Sequence, residues 1–247
     1  MKVFGLIVIH YGETYLSAAI QSIYAHCEKI VILYTPVPSF GYRTDIKCPE
    51  NAEDLMIAAF SVDPEHKIVW IEKCFNGQGE QRDYGYYYCK EQGADFILVA
   101  DADEVYEPEF ITEALEYSKA NKACLKVRMR HFWRSFNYIC EDAQRQYRII
   151  NVPHFFDKWL TWDDKVLINH FGYAQGIAIT SYKWLIHGDL AERRQDINWY
   201  EDRFLKFPEV LTDLHPTTEK WNAKPFDKTT LPKFMHTHPF FNLDIIK

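Results

Sequence analysis

Four short apolar segments, each followed by a stretch of helical character, constrain this 247-residue chain more than any other feature. The apolar runs are Lys2–Ile9, Lys29–Tyr34, Lys67–Ile71 and Asp95–Ala100. Between them, Thr14–His26 places Leu16, Ala19, Ile20 and Ile23 on one helical face. Asn51-Ala52-Glu53-Asp54 has the form of a capping box opening a helix through Phe60. A third helix, Glu80–Gln92, is closed by Gly93, and a fourth starts at Pro108 and runs to about Asn121. A βαβα rhythm of this kind predicts an α/β fold with a mostly parallel sheet and helices on both faces.

The last of these strands empties into Asp101-Ala102-Asp103-Glu104. In open α/β sheets ligands bind in the crevice beyond the carboxyl ends of the strands, so these acids stand where ligands bind. If the backbone stays extended there, Asp101 and Asp103 project to the same side. Two hard oxygen ligands suit Mg2+ or Mn2+, ions that usually hold phosphates through one or two carboxylates. The plain alternative is an acidic loop capping the next helix.

Past residue 121 the rhythm changes. Leu125, Val127 and Met129 alternate with Lys126, Arg128 and Arg130, a half-buried strand with one basic face. Gln146–Asn151 reads as a short strand, Val152–Gly188 resists assignment, and Glu192–Phe207 reads as a helix stopped by Pro208. The aromatic-rich tail from Leu211 is expected to be an ordered wrap. These features divide the chain into residues 1–190, with a ligand-binding half (1–121) and an acceptor-side half (122–190), and a C-terminal extension (191–247).

Composition narrows the function classes. A net charge of −7 disfavours a general nucleic-acid binder, although the basic strand, with Arg134, Arg145 and Arg148 near it, is a local exception. Trp133, Phe136 and Tyr138 are interleaved with it, as where bases or sugars stack; a solvated strand face is an equal alternative. The opening Val3–Ile9 run is far short of a membrane span of ~20 residues. No signal-type cleavage site follows it. The six cysteines show no metal-type spacing and read as reduced thiols without chemistry. A cytoplasmic protein without membrane elements is expected.

In four places the sequence resembles the GT-A-fold glycosyltransferases, especially family-2-type enzymes. Val8-Ile9-His10-Tyr11-Gly12-Glu13 resembles their first strand and base-holding loop, and Gly77-Gln78-Gly79-Glu80-Gln81-Arg82-Asp83 resembles the segment before their metal motif, with Asp83 replacing the usual Asn. Asp101-Ala102-Asp103-Glu104 looks like the DXD motif, while Tyr147-Arg148-Ile149 and His170-Phe171-Gly172-Tyr173 look like the later strand and histidine loop. The resemblance covers residues 1–175. Tyr34-Thr35-Pro36-Val37-Pro38 stands where the family carries an acidic cluster. Ser39–Asp45, with Arg43, is the candidate substitute for the missing donor contacts.

The resemblance implies a metal-dependent glycosyltransferase that moves a sugar from a nucleotide-sugar, UDP-linked by family habit, to an acceptor glycan or a modified nucleobase in DNA. Donor contacts would come from His10, Tyr11, Glu13, Arg43, Gly79, Arg82, Asp101 and Ala102. Asp103 would bind Mn2+ or Mg2+, with Asp101 on the ribose or the metal and His170 as a third ligand or diphosphate contact; an ordinary loop histidine is the alternative. Tyr11 is either a base-stacking ring or a core residue. Arg82 either reaches the diphosphate or holds Asp101. An inverting reaction needs a base. Asp163 or Asp164 is the expected one, with Glu141-Asp142 the other candidate and a polar turn the alternative for the first pair. Two rival classes are a sugar-phosphate nucleotidyltransferase, disfavoured by a single Gly and no Lys or Arg in residues 8–16, and an inactive carbohydrate- or nucleic-acid-binding module. His236-Thr237-His238-Pro239 reads as tail packing rather than a metal site.

Overall fold

The computed structural model describes residues 1–38, 45–141, 145–186, 196–217 and 219–247. Strand β1 (Val3–Ile9) is buried along its whole length, as a central strand covered on both faces must be. It pairs in parallel with β2 (Lys29–Tyr34) on one side and β4 (Phe96–Asp101) on the other. The third strand, β3 (Ile68–Glu72), extends the sheet beyond β2, again in parallel. The intervening helices are α1 (Glu13–Tyr24), α2 (Ala52–Phe60) and α3 (Gln78–Glu91), and α4 (Pro108–Asn121) follows β4 after the short strand β5 (Glu104–Tyr106).

Alternation along β1 sorts the helices between the two faces. Val3, Ile7 and Ile9 pack with Leu16, Ile20 and Ile23 of α1, Leu55 of α2, and Ile111 and Leu115 of α4. Phe4, Leu6 and Val8 point the other way, toward Tyr86 and Cys89 of α3. The α/β architecture with helices on both faces is therefore as expected.

The second half makes the sheet mixed rather than mostly parallel. Its hub is β6 (Cys124–Trp133), which carries β8 (Gln146–Asn151) along its first part and β7 (Tyr138–Glu141) along its last, both antiparallel. Long β9 (Trp159–Tyr173) runs parallel to β6 and pairs antiparallel with β5. Strand β8 joins the halves by pairing antiparallel with β4. The stretch that resisted assignment holds β9 itself and helix α5 (Ile177–Ile186), after a short helical turn at Val152–His154.

Residues 196–247 are no loose wrap. Leu231, Met235, Phe241 and Ile246 enter one core with Tyr15, Phe132, Phe136 and Phe171. Trp199, Phe204, Phe207, Leu214 and Trp221 form another with Trp133 and Tyr173. Where a helix to Phe207 was expected, the described residues hold only a short helical turn, Tyr200–Phe204. Among the described residues no helix is long and apolar enough to cross a membrane. None of the six cysteines is paired in a disulfide.

The ring of Trp199 stacks on Trp184 at 4.7 Å between centroids and its indole N–H donates to the Leu214 carbonyl. Trp199→Ala is therefore expected to cost about 3–5 kcal/mol in a urea titration. A loss below about 0.5 kcal/mol would mean that the extension is not part of the folded core.

Candidate active site at the β1–β4 crevice

Parallel strands ordered β3-β2-β1-β4 place a topological switch point between β1 and β4. A crevice opens there at the carboxyl ends of the strands, the preferred ligand position in such sheets. His10-Tyr11-Gly12 leave β1 on one side and Asp101-Ala102-Asp103 leave β4 on the other. Gly12 makes their close approach possible. Its φ is +125°, and a Cβ there would lie 2.5 Å from the Ala102 Cβ. Glycine alone meets both demands without strain.

The backbone turns at Ala102 and Asp103 instead of staying extended, so the two aspartates serve different partners. Asp101 accepts from Arg82 at 3.0 and 3.1 Å and from Arg148 at 3.2 Å. Arg148 also holds Glu104 through two bonds of 2.6 and 2.7 Å, and both of those side chains are buried. Burial alone would push the Asp101 carboxyl up, but Arg82 and Arg148 outweigh it and hold it down at about 2. Burial would likewise pull Arg148 down, and the charges of Glu104 and Asp101 more than reverse it. Arg82 thus holds Asp101.

Asp103 faces the other wall. Gln175 donates to its Oδ2 at 2.9 Å, Lys183 Nζ stands 4.0 Å from the same oxygen, and His170 Nε2 lies 3.6 Å from Oδ1. Strand pairing brings the histidine there. His170 is opposite Glu104 in the β5–β9 ladder, and the Phe171 N–H donates to the Asp103 carbonyl at 2.8 Å. Gly172 keeps the space in front of the ring open: a Cβ at that position would sit 2.6 Å from His170 Nε2 and 2.9 Å from Lys183 Nζ.

The residues fit a divalent ion at Asp103 and His170. A gap of 3.6 Å is too long for a hydrogen bond, yet two metal–ligand bonds of about 2.1 Å can bridge it. No three His, Cys, Asp or Glu side chains among the described residues converge closely enough to bind a metal unaided. An ion here would take its remaining ligands from phosphate and water, the usual habit of Mg2+. Both oxygens of Asp101 are already engaged by arginine.

The nearer end of β1 supplies an aromatic wall. His10 Nδ1 donates to the Thr35 carbonyl at 2.7 Å, so its Nε2 accepts from Tyr182 Oη at 2.8 Å. The polar atoms of His10 are therefore engaged within the protein. Tyr11 meets Tyr182 edge-on at 6.0 Å, and its phenol is raised well above 10 by burial and then by the charge of Asp103. Glu13 and Gly79 are exposed in the first turns of α1 and α3. Arg43, with the rest of 39–44, lies outside the described residues, as do Asp142 and the Glu141 side chain.

Glu50 and His131, like Gln175 and Lys183, were not singled out from the sequence. Glu50 Oε2 accepts from the Gly12 and Glu13 amides and so fills the N-terminus of α1, the place where dinucleotide folds seat a pyrophosphate. Burial raises its carboxyl above the ordinary value despite those two amides. His131 is the second, its Nδ1 2.8 Å from His170 Nδ1. Its position on the apolar parity of β6 was the available clue.

Asp163 and Asp164 are not brought to this cluster. They stand exposed where β9 bulges, between Trp162, opposite Val127, and Val166, opposite Arg128. From Val166 to His170 the strand alone spans roughly 13 Å. Asp163 is paired with Arg145.

The basic strand is also dispersed. Arg130 bonds Asn169 and Glu107, Arg134 donates to the Phe204 and Ile246 carbonyls, Arg148 is in the acid network, and Lys126 lies over Tyr147. Trp133 and Phe136 are buried in the cores. His238 bonds the Thr14 carbonyl and stacks on Tyr15, so the histidine pair of the tail serves packing.

No family model and no curated protein matches the chain. Among solved structures it is similar to S. aureus TarS residues 1–349, at 11% identity and a TM-score of 0.47 over 70% of this chain and 61% of that one. The same TarS segment in complex with UDP-GlcNAc gives 11% and 0.47 over 68% and 58%, and in complex with UDP 11% and 0.45 over 68% and 60%. The chain thus spans about three fifths of the length of these structures. Likeness at that level says nothing of activity, which must be argued from the site.

Removing Arg148 leaves buried Glu104 without its arginine and takes one of two arginines from Asp101. Arg148→Met is expected to cost about 3–5 kcal/mol in chemical denaturation, the usual penalty for breaking a buried pair. The pH dependence follows from Asp101. Its folded pKa, about 2, is below the unfolded value near 4, so its stabilisation is complete above about 4 and drains as pH falls toward 2. Wild type minus Asp101→Asn stability should stay constant from pH 7 to about 4 and shrink below it.

Proposed function

We propose that this chain is a divalent-cation-assisted glycosyltransferase that takes a sugar from a nucleoside-diphosphate donor, UDP-linked by the family resemblance, and passes it to a glycan hydroxyl. The observation that carries the reading is the Asp103–His170 pair, 3.6 Å apart at the switch-point crevice and backed by Lys183.

Charge balance supports it. Asp101, Asp103 and Glu104 are matched by Arg82, Arg148 and Lys183, so a diphosphate entering the crevice brings negative charge that the protein has not already compensated. Asp103 and His170 would hold Mn2+ or Mg2+, and the bound ion supplies the positive charge that offsets the departing diphosphate. Lys183, which bonds the Gly172 carbonyl at 3.1 Å and stands 4.0 Å from Asp103, lines the same side. Half-buried Tyr11 is the ring against which a base can stack, with buried Tyr182 behind it. Transfer breaks the anomeric carbon–oxygen bond, with the electron pair going to diphosphate, while the acceptor oxygen bonds the same carbon and its proton passes to the departing diphosphate or to water. Asp163 and Asp164, the base expected from the sequence, sit in the β9 bulge rather than beside Asp103, and the proposal gives them no part in that step.

Closure of the α1 N-terminus by Glu50 counts against the rival nucleotidyltransferase, whose triphosphate would need that region open. Pairing of the β6 arginines likewise favours a glycan over DNA as acceptor.

Calorimetry with UDP, with and without Mn2+, tests the proposal. Mn2+ should tighten UDP binding in the wild type, and Asp103→Asn should weaken the metal-assisted affinity by about tenfold or more. UDP binding that is indifferent to both Mn2+ and Asp103→Asn would overturn it.

A further inference from the structure

On the side of the sheet that carries α3, a connected row of aromatic rings runs from β8 to the turn before β9. Tyr147 meets Trp159 edge to face at 4.6 Å between centroids, Trp159 meets Phe155 at 5.9 Å, and Phe155 meets Phe156 at 4.8 Å. Phe155 also stacks at 4.3 Å on Tyr86 of α3, which ties the row to the core. Tyr147 is 50% exposed and Phe156 77%, while Phe155 and Trp159 are half-buried. The chemistry of the crevice uses none of these rings.

Tyr147 joins the row through an irregularity in the ladder. Ile149 is opposite Leu125 and enters the core shared with α1 and α4. Strict alternation would send Tyr147 to that core as well. The register passes over Arg148 instead, so Tyr147 falls opposite Lys126, whose ammonium lies 4.6 Å from the centre of its ring. Bulges of this kind often re-aim a side chain next to an active site. Arg148, the residue passed over, is the one that holds Asp101 and Glu104. The row therefore begins one residue from the crevice network.

Size and charge select the occupant. At 150–250 Å² for a whole aromatic side chain, the four rings expose on the order of 350 Å². That is less than half of the roughly 800 Å² per partner in a stable protein interface. A phosphate backbone is disfavoured by exposed carboxylates at both ends of the row. Asp157 follows Phe156, and Asp163 is paired with Arg145, two residues from Tyr147. Carboxylates accept hydrogen bonds from hydroxyls, and the C–H face of a pyranose packs on an aromatic ring. Rings for the sugar faces and acids for the hydroxyls suit an uncharged glycan.

We propose that the row from Tyr147 through Trp159 and Phe155 to Phe156 is a platform for an uncharged glycan chain, stacked on the rings with hydroxyls donating to Asp157 and Asp163. Placing that chain as the acceptor, with one end toward the crevice, rests on the glycosyltransferase reading above; binding on the platform does not.

The test is calorimetry of the full chain with three neutral hexasaccharides, chitohexaose, cellohexaose and maltohexaose, and with a thymidine dodecanucleotide as the nucleic-acid arm. At least one hexasaccharide should bind. Phe156→Ala and Tyr147→Ala should each weaken it by about fivefold or more, the loss expected for one stacked ring, with UDP binding as in the wild type. Phe156 is exposed enough for its variant to keep the fold. Failure of all three sugars to bind overturns the proposal, as does sugar binding indifferent to both substitutions. Dodecanucleotide binding that Phe156→Ala abolishes, with no sugar bound, makes the surface a nucleic-acid site and overturns it too. Sugar binding on these rings, together with UDP binding that ignores both Mn2+ and Asp103→Asn, leaves the platform standing and removes the transferase reading.

Discussion

The guanidinium of Arg148 is the interaction on which the crevice depends. It is buried between Glu104 and Asp101, carboxylates that flank the turn after β4, and it comes from β8, the strand that joins the parallel and antiparallel halves of the sheet. One side chain thus fixes the turn and ties the two halves together. A buried ion pair contributes little to net stability compared with apolar packing, but losing one member is costly. Its value here is geometric: with Asp101 held by Arg148 and Arg82, the turn delivers Asp103 to the opposite wall.

That wall is built by strand pairing rather than by loops. Strand β9 lies between β5 and β6, so His170 has Glu104 on one side and His131 on the other. Cross-strand neighbours are held to within fractions of an ångström by the ladder, a tighter placement than a free loop provides. Helix α5 then adds Tyr182 and Lys183 from adjacent positions, one toward His10 and the other toward Asp103.

Much of the first half was legible because local pattern and burial agree. Strand β2 and helix α4 have the expected ends, and the acid pair falls at the mouth of β4. In the second half the signals conflict. The run Asp163-Asp164-Lys165 is bulged out of β9 and breaks the alternation that would have marked a 15-residue strand. Helix α5 is written Ile-Ala-Ile-Thr-Ser-Tyr-Lys-Trp-Leu-Ile, rich in residues that favour strands, and tertiary packing overrides that preference. Within the site the acids, Arg82 and His170 were visible, while Gln175, Lys183 and Glu50 were not. Gln175 is 72 positions from Asp103, and Glu50 is 38 from Gly12. No short-range rule connects such pairs. Asp163 had adjacency to the histidine segment in its favour, but a strand turns seven intervening steps into distance rather than contact.

Because acids from β4 and cations from β9 and α5 meet only when the two halves of the sheet are joined, neither half contains a working centre by itself. The N-terminal parallel strands pair with one another, but their core also takes Leu125, Val127, Met129 and Leu167 from the second half. A chain with β9 undocked would have Asp103 without the His170 that strand pairing sets beside it.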